Sequence, residues 1–497
     1  MEAAGGLLAR RSEAVRLRKR QSVLYSTPGG VAGQRGAGKL SEGAGVAAPL
    51  GGSTSGPSPV PSPGAAGGPV RLLAFTLALR TLNCFFVQTS FVPDEYWQSL
   101  EVAHRMVFNY GYLTWEWTHG LRGYSYPLIF ASIYKALQLL AMDDVKLLIW
   151  VPRLAQAVLA AFADVKLYSL VQHLENAETA KCVLQIFSFG STCNYYSSHC
   201  CYPMDTFGPQ AFFARTEESR PYPTLLHSSW WVLVQLNFLK FNVLQNLGTF
   251  YGSHPWHWYF TQGLPVILGT HLPLFVHGCV LAPKRYRIFL MAVIWTVLVY
   301  SMLSHKEFRF IYPVMPFCMV FCGYSLKHLK AWKKSAAICL FLSNLLPALY
   351  TGLIHQRGSL DVMSHIQQLC NDSYQSQASV FIMMPCHSTP FYSHVHCPLK
   401  MRFLQCPPDL TGNASYIDEA DVFYSNPLGW LNKEFYNDTL LPSHLIFFSV
   451  LEQEISSFLA LRGYEKTATV FHTQVPQGRV GSHIYVYRKK KPETNHT

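Results

Sequence analysis

Two adjacent carboxylates, Asp94 and Glu95, follow directly after an apolar stretch of the chain. Charged side chains at a membrane–water boundary are costly unless they are solvated or used. A carboxylate there could act as a general base that removes the proton from a sugar hydroxyl as it attacks an anomeric carbon. Asp94 is the candidate base. The pattern equally suits an acidic first turn of a helix, and sequence alone leaves both interpretations open.

The residues that follow are aromatic and basic. Trp115 and Trp117 are typical of a membrane-interface belt, and they would also suit stacking on sugar faces. Arg122 could face a phosphate or anchor the chain at the interface.

A second cluster contains His254, Trp256 and His257. Two imidazoles three residues apart suggest metal coordination, but no third ligand stands at a recognisable spacing. We therefore expect no metal, and we predict an aromatic lip that orients a substrate or a phosphate.

A third cluster, at 305–310, contains His305, Lys306 and Arg309. Lys306 and Arg309 could grip a lipid phosphate, the arginine with its planar two-donor fork. The alternative is a solvated turn with an internal ion pair involving Glu307, which contributes little at a surface. Because no glycine-rich phosphate loop accompanies these residues, a soluble nucleotide-sugar donor is disfavoured.

The composition indicates which elements must position these clusters. Of the 497 residues, 49% are hydrophobic and 14% are charged, whereas a soluble protein usually has about a quarter charged. The apolar residues form blocks near the length of a membrane span. The net charge of +12 does not indicate nucleic-acid binding, because basic residues flank apolar blocks. We predict spans at 71–92, 124–142, 147–171, 264–281, 289–303, 310–326 and 335–354.

The basic clusters predict the orientation. Residues 1–69 form a Gly/Ala/Ser/Pro-rich segment, predicted to be a disordered cytoplasmic tail. If this tail and the basic clusters at 284–287 and 327–334 are cytoplasmic, the segments 93–123, 242–262 and 304–309 share the opposite, lumenal side. Arg153 and Asp164 lie within a predicted span, where we expect them to pair or to line a cavity.

Residues 355–497 are predicted to form a lumenal C-terminal domain of α/β type. This segment has N-glycosylation acceptor patterns at Asn371, Asn413 and Asn437, with a further one at Asn495. It also has four cysteines that an oxidising compartment would allow to form disulfides. Four cysteines allow three pairings, and the sequence does not choose among them: Cys370, Cys386, Cys397 and Cys406.

The runs 93–98, 254–260 and 305–310 resemble the hallmarks of the dolichyl-phosphate-mannose-dependent mannosyltransferases of glycosyltransferase family 22. The resemblance implies an α-helical polytopic membrane protein of GT-C-like fold in the endoplasmic reticulum membrane, with a lumenal active site and a helical first lumenal loop. It implies a lipid donor, dolichyl phosphate mannose, inversion at the transferred mannose, and neither cofactor nor metal. Asp94 would be the essential acid, with Glu95 as its neighbour.

Within the family, the match over 72–187 and from 234 onwards implies addition of the third mannose of the glycosylphosphatidylinositol anchor in α-1,2 linkage. Residues 189–231 do not resemble the family and are too short to contain its further spans. An alternative splice or a faulty gene prediction would explain this departure, which would impair activity. The alternatives are a mannosyltransferase for dolichol-linked oligosaccharide, a non-catalytic membrane subunit or a lipid transporter.

Overall fold

The computed structural model describes residues 67–90, 92–189, 214–215, 231–371, 378–411, 413 and 415–490. Residues 1–66 of the predicted cytoplasmic tail, most of the atypical stretch 189–231 and the acceptor pattern at Asn495 therefore lie outside the described residues.

Five helical stretches among the described residues are long and apolar enough to cross a membrane. They are Gly68–Phe86, Val145–Leu174, Tyr259–Leu281, Phe308–His328 and Lys330–Cys370. The prediction of an α-helical, multi-pass membrane protein is confirmed.

The helices of this part are α1 (Gly67–Phe86), α2 (Asp94–Trp97), α3 (Leu100–Phe108), α4 (Trp115–Thr118), α5 (Ser125–Leu139), α6 (Val145–Leu174), α7 (Ala177–Phe189), α8 (Val234–Leu239), α9 (Leu264–Leu268), α10 (Leu272–Leu281), α11 (Arg287–Ser301), α12 (Met315–His328) and α13 (Lys333–Leu353). Short 3-10 or π-helical turns join several of them: Lys240–Leu244, Leu247–Tyr251, Tyr259–Gly263, Gly269–His271, Lys284–Tyr286, Phe308–Val314 and Lys330–Trp332. Between α7 and α8, the two-residue strands β1 (Ala214–Arg215) and β2 (Trp231–Val232) pair antiparallel.

The basic clusters gather at one end of the helical bundle. Arg285 pairs with Glu175 at the end of α6, and Lys333 pairs with Glu178 of α7 at 2.8 Å. We call this the basic end. The opposite end, which carries residues 94–97 and 304–309, is called the site end. Helix α7 contains Glu178 and Lys181 and was not predicted as an element.

The predicted span at 124–142 is wrong. Its helix, α5, has 15 residues and packs on α3, and Asp143 just after it lies 3.5 Å from His396 of the C-terminal domain. Both ends of α5 therefore lie at the site end, and α6 is the helix that runs from there to the basic end. The 15-residue helix α11, in contrast, connects the basic end to the site end, as predicted.

Arg153 and Asp164 of α6 bind other partners than each other. Asp164 pairs with Arg80 of α1, with an Nε–Oδ2 distance of 2.8 Å, and both side chains are almost fully buried. Arg153 donates from Nη1 to the backbone oxygen of Val87 at 3.1 Å. Arg153 and Asp164 thus tie α6 to α1 and the segment that follows, and do not pair with each other.

Two glycines let neighbouring helices meet at backbone distance. A Cβ on Gly278 of α10 would overlap the carbonyl oxygen of Phe321 of α12, and a Cβ on Gly323 would overlap Val183 of α7. Small residues at such crossings allow close packing between membrane helices.

The C-terminal part is a mixed α/β domain, which confirms its predicted type. Its elements are α14 (Gly358–Asn371), β3 (Ser379–Ile382), α15 (Tyr392–Val395), β4 (Lys400–Phe403), α16 (Glu419–Ser425), α17 (Pro427–Glu434), β5 (His444–Phe448), α18 (Glu452–Leu461), β6 (Tyr464–Phe471) and β7 (His483–Lys489), with 3-10 turns at Asp438–Leu440 and Ser449–Leu451. The sheet order is β4-β3-β5-β7-β6, with β3 parallel to β4 and β5 and the other pairs antiparallel.

The central strand β5 is buried along its whole length, as expected for a strand covered on both faces. Ile446 and Phe448 join one core with Trp97 of α2, whereas Leu445 and Phe447 join another with the helices α16 to α18. This alternation follows from the two-residue period of a strand.

The first core docks the domain onto the loop that carries Asp94 and Glu95. The Trp97 indole Nε1 donates to the backbone oxygen of Thr389 at 2.8 Å. The buried Glu101 carboxylate accepts from the backbone nitrogens of Phe391 and Ser393, at 2.8 Å and 3.1 Å, and from the Ser393 hydroxyl. Residues almost 300 positions apart are thereby fixed against each other.

Two disulfides select one of the three pairings that the sequence leaves open. Cys370 is bonded to Cys397, and Cys386 to Cys406.

Candidate functional site

Asp94 is the first residue of the one-turn helix α2, in which Glu95, Tyr96 and Trp97 are buried. The Asp94 side chain keeps 42% of its exposure and lies 3.7 Å from Nη2 of Arg309. The acidic helix start and an accessible carboxylate, which the sequence presents as alternatives, are thus both present in one residue.

Glu95 has a different environment. Its side chain is 6% exposed. Burial is the main cause that raises the pKa of Glu95 to about 8; Arg309 opposes this, while Asp94 and Glu307 add to it. Glu95 therefore carries its proton at neutral pH, and Asp94 is better placed to act as a base.

The segment 304–309 forms a half-buried ionic cluster. Arg309 donates from Nη2 to Oε1 of Glu307 at 2.9 Å, and its Nε contacts the other carboxylate oxygen. The His305 Nε2 lies 2.8 Å from the same Oε1, and its Nδ1 lies 3.0 Å from the backbone oxygen of Gly252. Burial alone would raise the pKa of Glu307, but Arg309 and then His305 outweigh it and hold that pKa at about 2. Glu307 is therefore ionised at neutral pH.

The Lys306 side chain points away from this cluster. Its side chain is 3% exposed, and its ammonium donates to the backbone oxygens of His254 (3.1 Å) and Leu303. The backbone of His254 also donates to Ser304 at 3.0 Å. Lys306 thus ties the segment near 254 to the segment near 304, and among the predicted phosphate ligands Arg309 is the one that faces Asp94.

Arg122 forms a two-bonded ion pair with Glu116, at 3.2 Å and 3.1 Å. Burial acts to raise the pKa of Glu116, but Arg122 outweighs burial and the pKa is lowered; His387 and Arg309 contribute in the same direction. The Glu116–Arg122 pair therefore lies within electrostatic reach of the ionic cluster.

The three residues of the predicted aromatic lip, His254, Trp256 and His257, do not lie together. The His254 ring stacks on Trp258, with centroids 4.7 Å apart. Trp256 is 68% exposed and its ring meets His257 edge-on. His254 is thus joined to the 304–309 segment, whereas Trp256 and His257 project from the start of the Tyr259–Leu281 stretch.

Sequence reasoning missed three residues that lie near Asp94. From sequence, Glu307 is considered only as part of a solvated turn. Tyr251 accepts a hydrogen bond from Trp115 Nε1 at 2.8 Å, and both Glu116 and Asp94 help to raise its pKa, after burial. Burial lowers the pKa of His387, which Asp94 and Glu116 oppose. The sequence around 250 and 387 carries no pattern that would have identified Tyr251 and His387.

The described glycosylation candidates have different environments. Asn413 and Asn437 are exposed, and in each the side-chain oxygen accepts from the backbone nitrogen two residues later, Ser415 or Thr439. Asn371 is the last residue of α14. These acceptor sites remain predictions.

A sequence profile of the Alg9-like mannosyltransferase family matches residues 71–202 and 224–396. A protein named GPI alpha-1,2-mannosyltransferase 3 from Homo sapiens is 60% identical over 487 residues, covering 85% of this chain and 87% of that protein. The Bos taurus protein of the same name is 54% identical over 551 residues, covering 98% and 96%. The crystal structure of ArnT from Cupriavidus metallidurans in the apo state has a TM-score of 0.46 and 11% identity, over 85% of this chain and 98% of that chain.

The alignment with the Bos taurus protein is longer than the chain itself, so it contains at least 54 positions at which this chain has no residue, the excess of 551 over 497. The interruption of the family match at 203–223 lies within 189–231, the stretch predicted to depart from the family. Family membership agrees with the predicted GT-C-like fold. The profile and the relatives together show that the chain belongs to the Alg9-like mannosyltransferase family of membrane glycosyltransferases.

Proposed function

We propose that this chain transfers a mannose, in α-1,2 linkage, from dolichyl phosphate mannose to a mannosylated glycosylphosphatidylinositol precursor. The names of the relatives supply the acceptor class and the linkage. The observation that carries the assignment is the proximity of Asp94 and Arg309, 3.7 Å apart at one end of the bundle.

The two side chains have complementary tasks. Asp94 takes the proton from the acceptor hydroxyl as that oxygen attacks the anomeric carbon. Arg309 donates hydrogen bonds to the phosphate of the donor and stabilises the charge that develops as this group leaves. Because the phosphate departs without protonation, a single base is sufficient. Direct displacement converts the β linkage of the donor into the α linkage of the product.

We further propose that the site end faces the lumen of the endoplasmic reticulum. The clustering of basic residues at the opposite end supports this orientation. Glycan mapping tests it: treatment with an N-glycosidase should reduce the mass of the expressed chain, and Asn437→Gln should remove one glycan. A chain with both Asn413 and Asn437 unmodified, and with a C-terminal tag accessible from the cytosol, would contradict the orientation.

Complementation tests the activity. Cells lacking this mannosyltransferase should accumulate an anchor precursor with two mannoses, and expression of this chain should convert it to the three-mannose form. Asp94→Asn should abolish conversion, whereas Asp361→Asn, which breaks the exposed Arg357–Asp361 pair, should convert as the wild type does. Full conversion by the Asp94→Asn chain would disprove the assignment of the base.

A chimeric chain, with residues 189–231 replaced by the corresponding segment of the Homo sapiens relative, isolates the atypical stretch. If only this chain converts the precursor, the departure at 189–231 is what impairs the activity. If the dolichol-linked oligosaccharide changes and the anchor precursor does not, the acceptor assignment is wrong.

A further inference from the structure

Arg309 lies between two carboxylates at unequal distances. Its Nη2 makes a hydrogen bond of 2.9 Å with Glu307, whereas its distance to Asp94 is 3.7 Å, beyond hydrogen-bonding range. The Arg309 guanidinium therefore hydrogen-bonds to Glu307 and not to Asp94.

Glu307 is itself held both through its backbone and through its carboxylate. The Tyr259 hydroxyl donates to the backbone oxygen of Glu307 at 3.0 Å and accepts from its backbone nitrogen at 3.2 Å. His305, anchored on Gly252, contacts the carboxylate at 2.8 Å. These contacts come from residues about fifty positions earlier in the chain and from the turn itself, so the carboxylate is a fixed point and not a mobile surface charge.

We propose that Glu307 is a positioning residue whose carboxylate holds the Arg309 guanidinium off Asp94, so that Asp94 stays able to accept a proton. This inference rests on the proposed function, in which Asp94 is the base. A guanidinium in full contact with an aspartate favours its ionised form and makes it a weaker base. Retracting the guanidinium avoids that loss.

Other titratable groups also lie near Asp94. Glu95 is adjacent and protonated at neutral pH, Tyr251 and His387 lie within electrostatic reach of Asp94, and the Glu116–Arg122 pair lies within electrostatic reach of Arg309. Loss of the Glu307 charge has two effects on Asp94: it removes a like charge, and it allows Arg309 to move closer. Both effects favour the ionised form of Asp94.

The test does not require turnover. The purified full chain in detergent micelles is treated with a water-soluble carbodiimide and an amine, which modify the protonated carboxyl, and mass spectrometry locates the label at Asp94. In Glu307→Gln, the pH midpoint of Asp94 labelling should fall by about one unit, which is a tenfold change in proton affinity. Glu307→Asp, which keeps the charge, should stay closer to the wild type, and Asp361→Asn should match it. An unchanged or higher midpoint in folded Glu307→Gln would overturn the proposal.

Turnover gives the second readout. Mannose transfer by Glu307→Gln should show kcat lowered about tenfold and an acid limb of the pH–rate profile displaced to lower pH. An unchanged kcat together with a lowered labelling midpoint would disprove Asp94 as the base and leave the geometric role of Glu307 standing. A wild-type chain without transfer would contradict the proposed function alone, because the labelling result does not depend on turnover.

Discussion

The guanidinium of Arg80 and the carboxylate of Asp164 are joined by two hydrogen bonds of 2.8 Å, and their side chains are 2% and 1% exposed. The pair connects the first helix of the bundle to α6 across 84 residues of sequence. The Arg80 guanidinium also lies over the Phe187 ring of α7, 5.5 Å from its centroid. Three helices thus meet at one buried ion pair.

Asp164→Asn should lower the free energy of unfolding by about 3–5 kcal/mol, because it leaves the buried Arg80 charge uncompensated. The double substitution Arg80→Leu and Asp164→Leu should restore much of that loss, since it removes both charges. Thermal unfolding of the purified proteins in detergent measures the difference. Equal losses in the single and double variants would contradict this account.

Arg309→Lys and Lys306→Met should have different effects, although the two residues are three positions apart. Lysine lacks the two-donor fork of arginine, so Arg309→Lys should raise KM for the donor and lower kcat while the protein stays folded. Lys306→Met should instead reduce the yield of folded protein, because the backbone oxygens of His254 and Leu303 lose a charged donor. Steady-state kinetics and size-exclusion chromatography distinguish the two. A folded Lys306→Met protein with only a raised donor KM would assign phosphate binding to Lys306.

His104 predicts a pH dependence of stability. Burial, and then the neighbouring His396, lower the pKa of His104 to about 3. In the unfolded chain the imidazole binds a proton near pH 6.5, so the stability present above that value is lost as the pH falls towards 3. Between pH 7 and pH 5, His104→Phe should therefore lose about 2 kcal/mol less stability than the wild type. Thermal midpoints at the two pH values check this, with the exposed His365→Gln as a control that should follow the wild type.

The disulfide between Cys386 and Cys406 closes a segment that carries His387 and Thr389, both in contact with Trp97. Replacing both cysteines by serine should cost about 3 kcal/mol of stability, from the entropy of a loop of this length. It should also lower mannose transfer, since the segment next to Asp94 loses its closure. The exposed Cys339→Ser is the matched control. Transfer equal to wild type in the double variant would show that the segment holds its place without the bond.

The grouping of the three motif segments at one end was predictable, because the basic clusters constrain it independently of packing. The position of helix 125–139 was not predictable, because a 15-residue apolar helix has the same sequence pattern whether it crosses a membrane or packs on another helix. Helix α7 was not predicted because the charges of Glu178 and Lys181 interrupt its apolar sequence. Neither the partners of Glu307 nor the cysteine pairing can be derived from spacing, because contacts between distant segments decide both.

The glycine contacts at Gly278 and Gly323 have a consequence for the isoprenoid tail of a lipid donor. Where α10 meets α12, and α12 meets α7, no width remains for a hydrocarbon chain to slide between the helices. We therefore expect lateral entry of such a tail at another seam of the bundle.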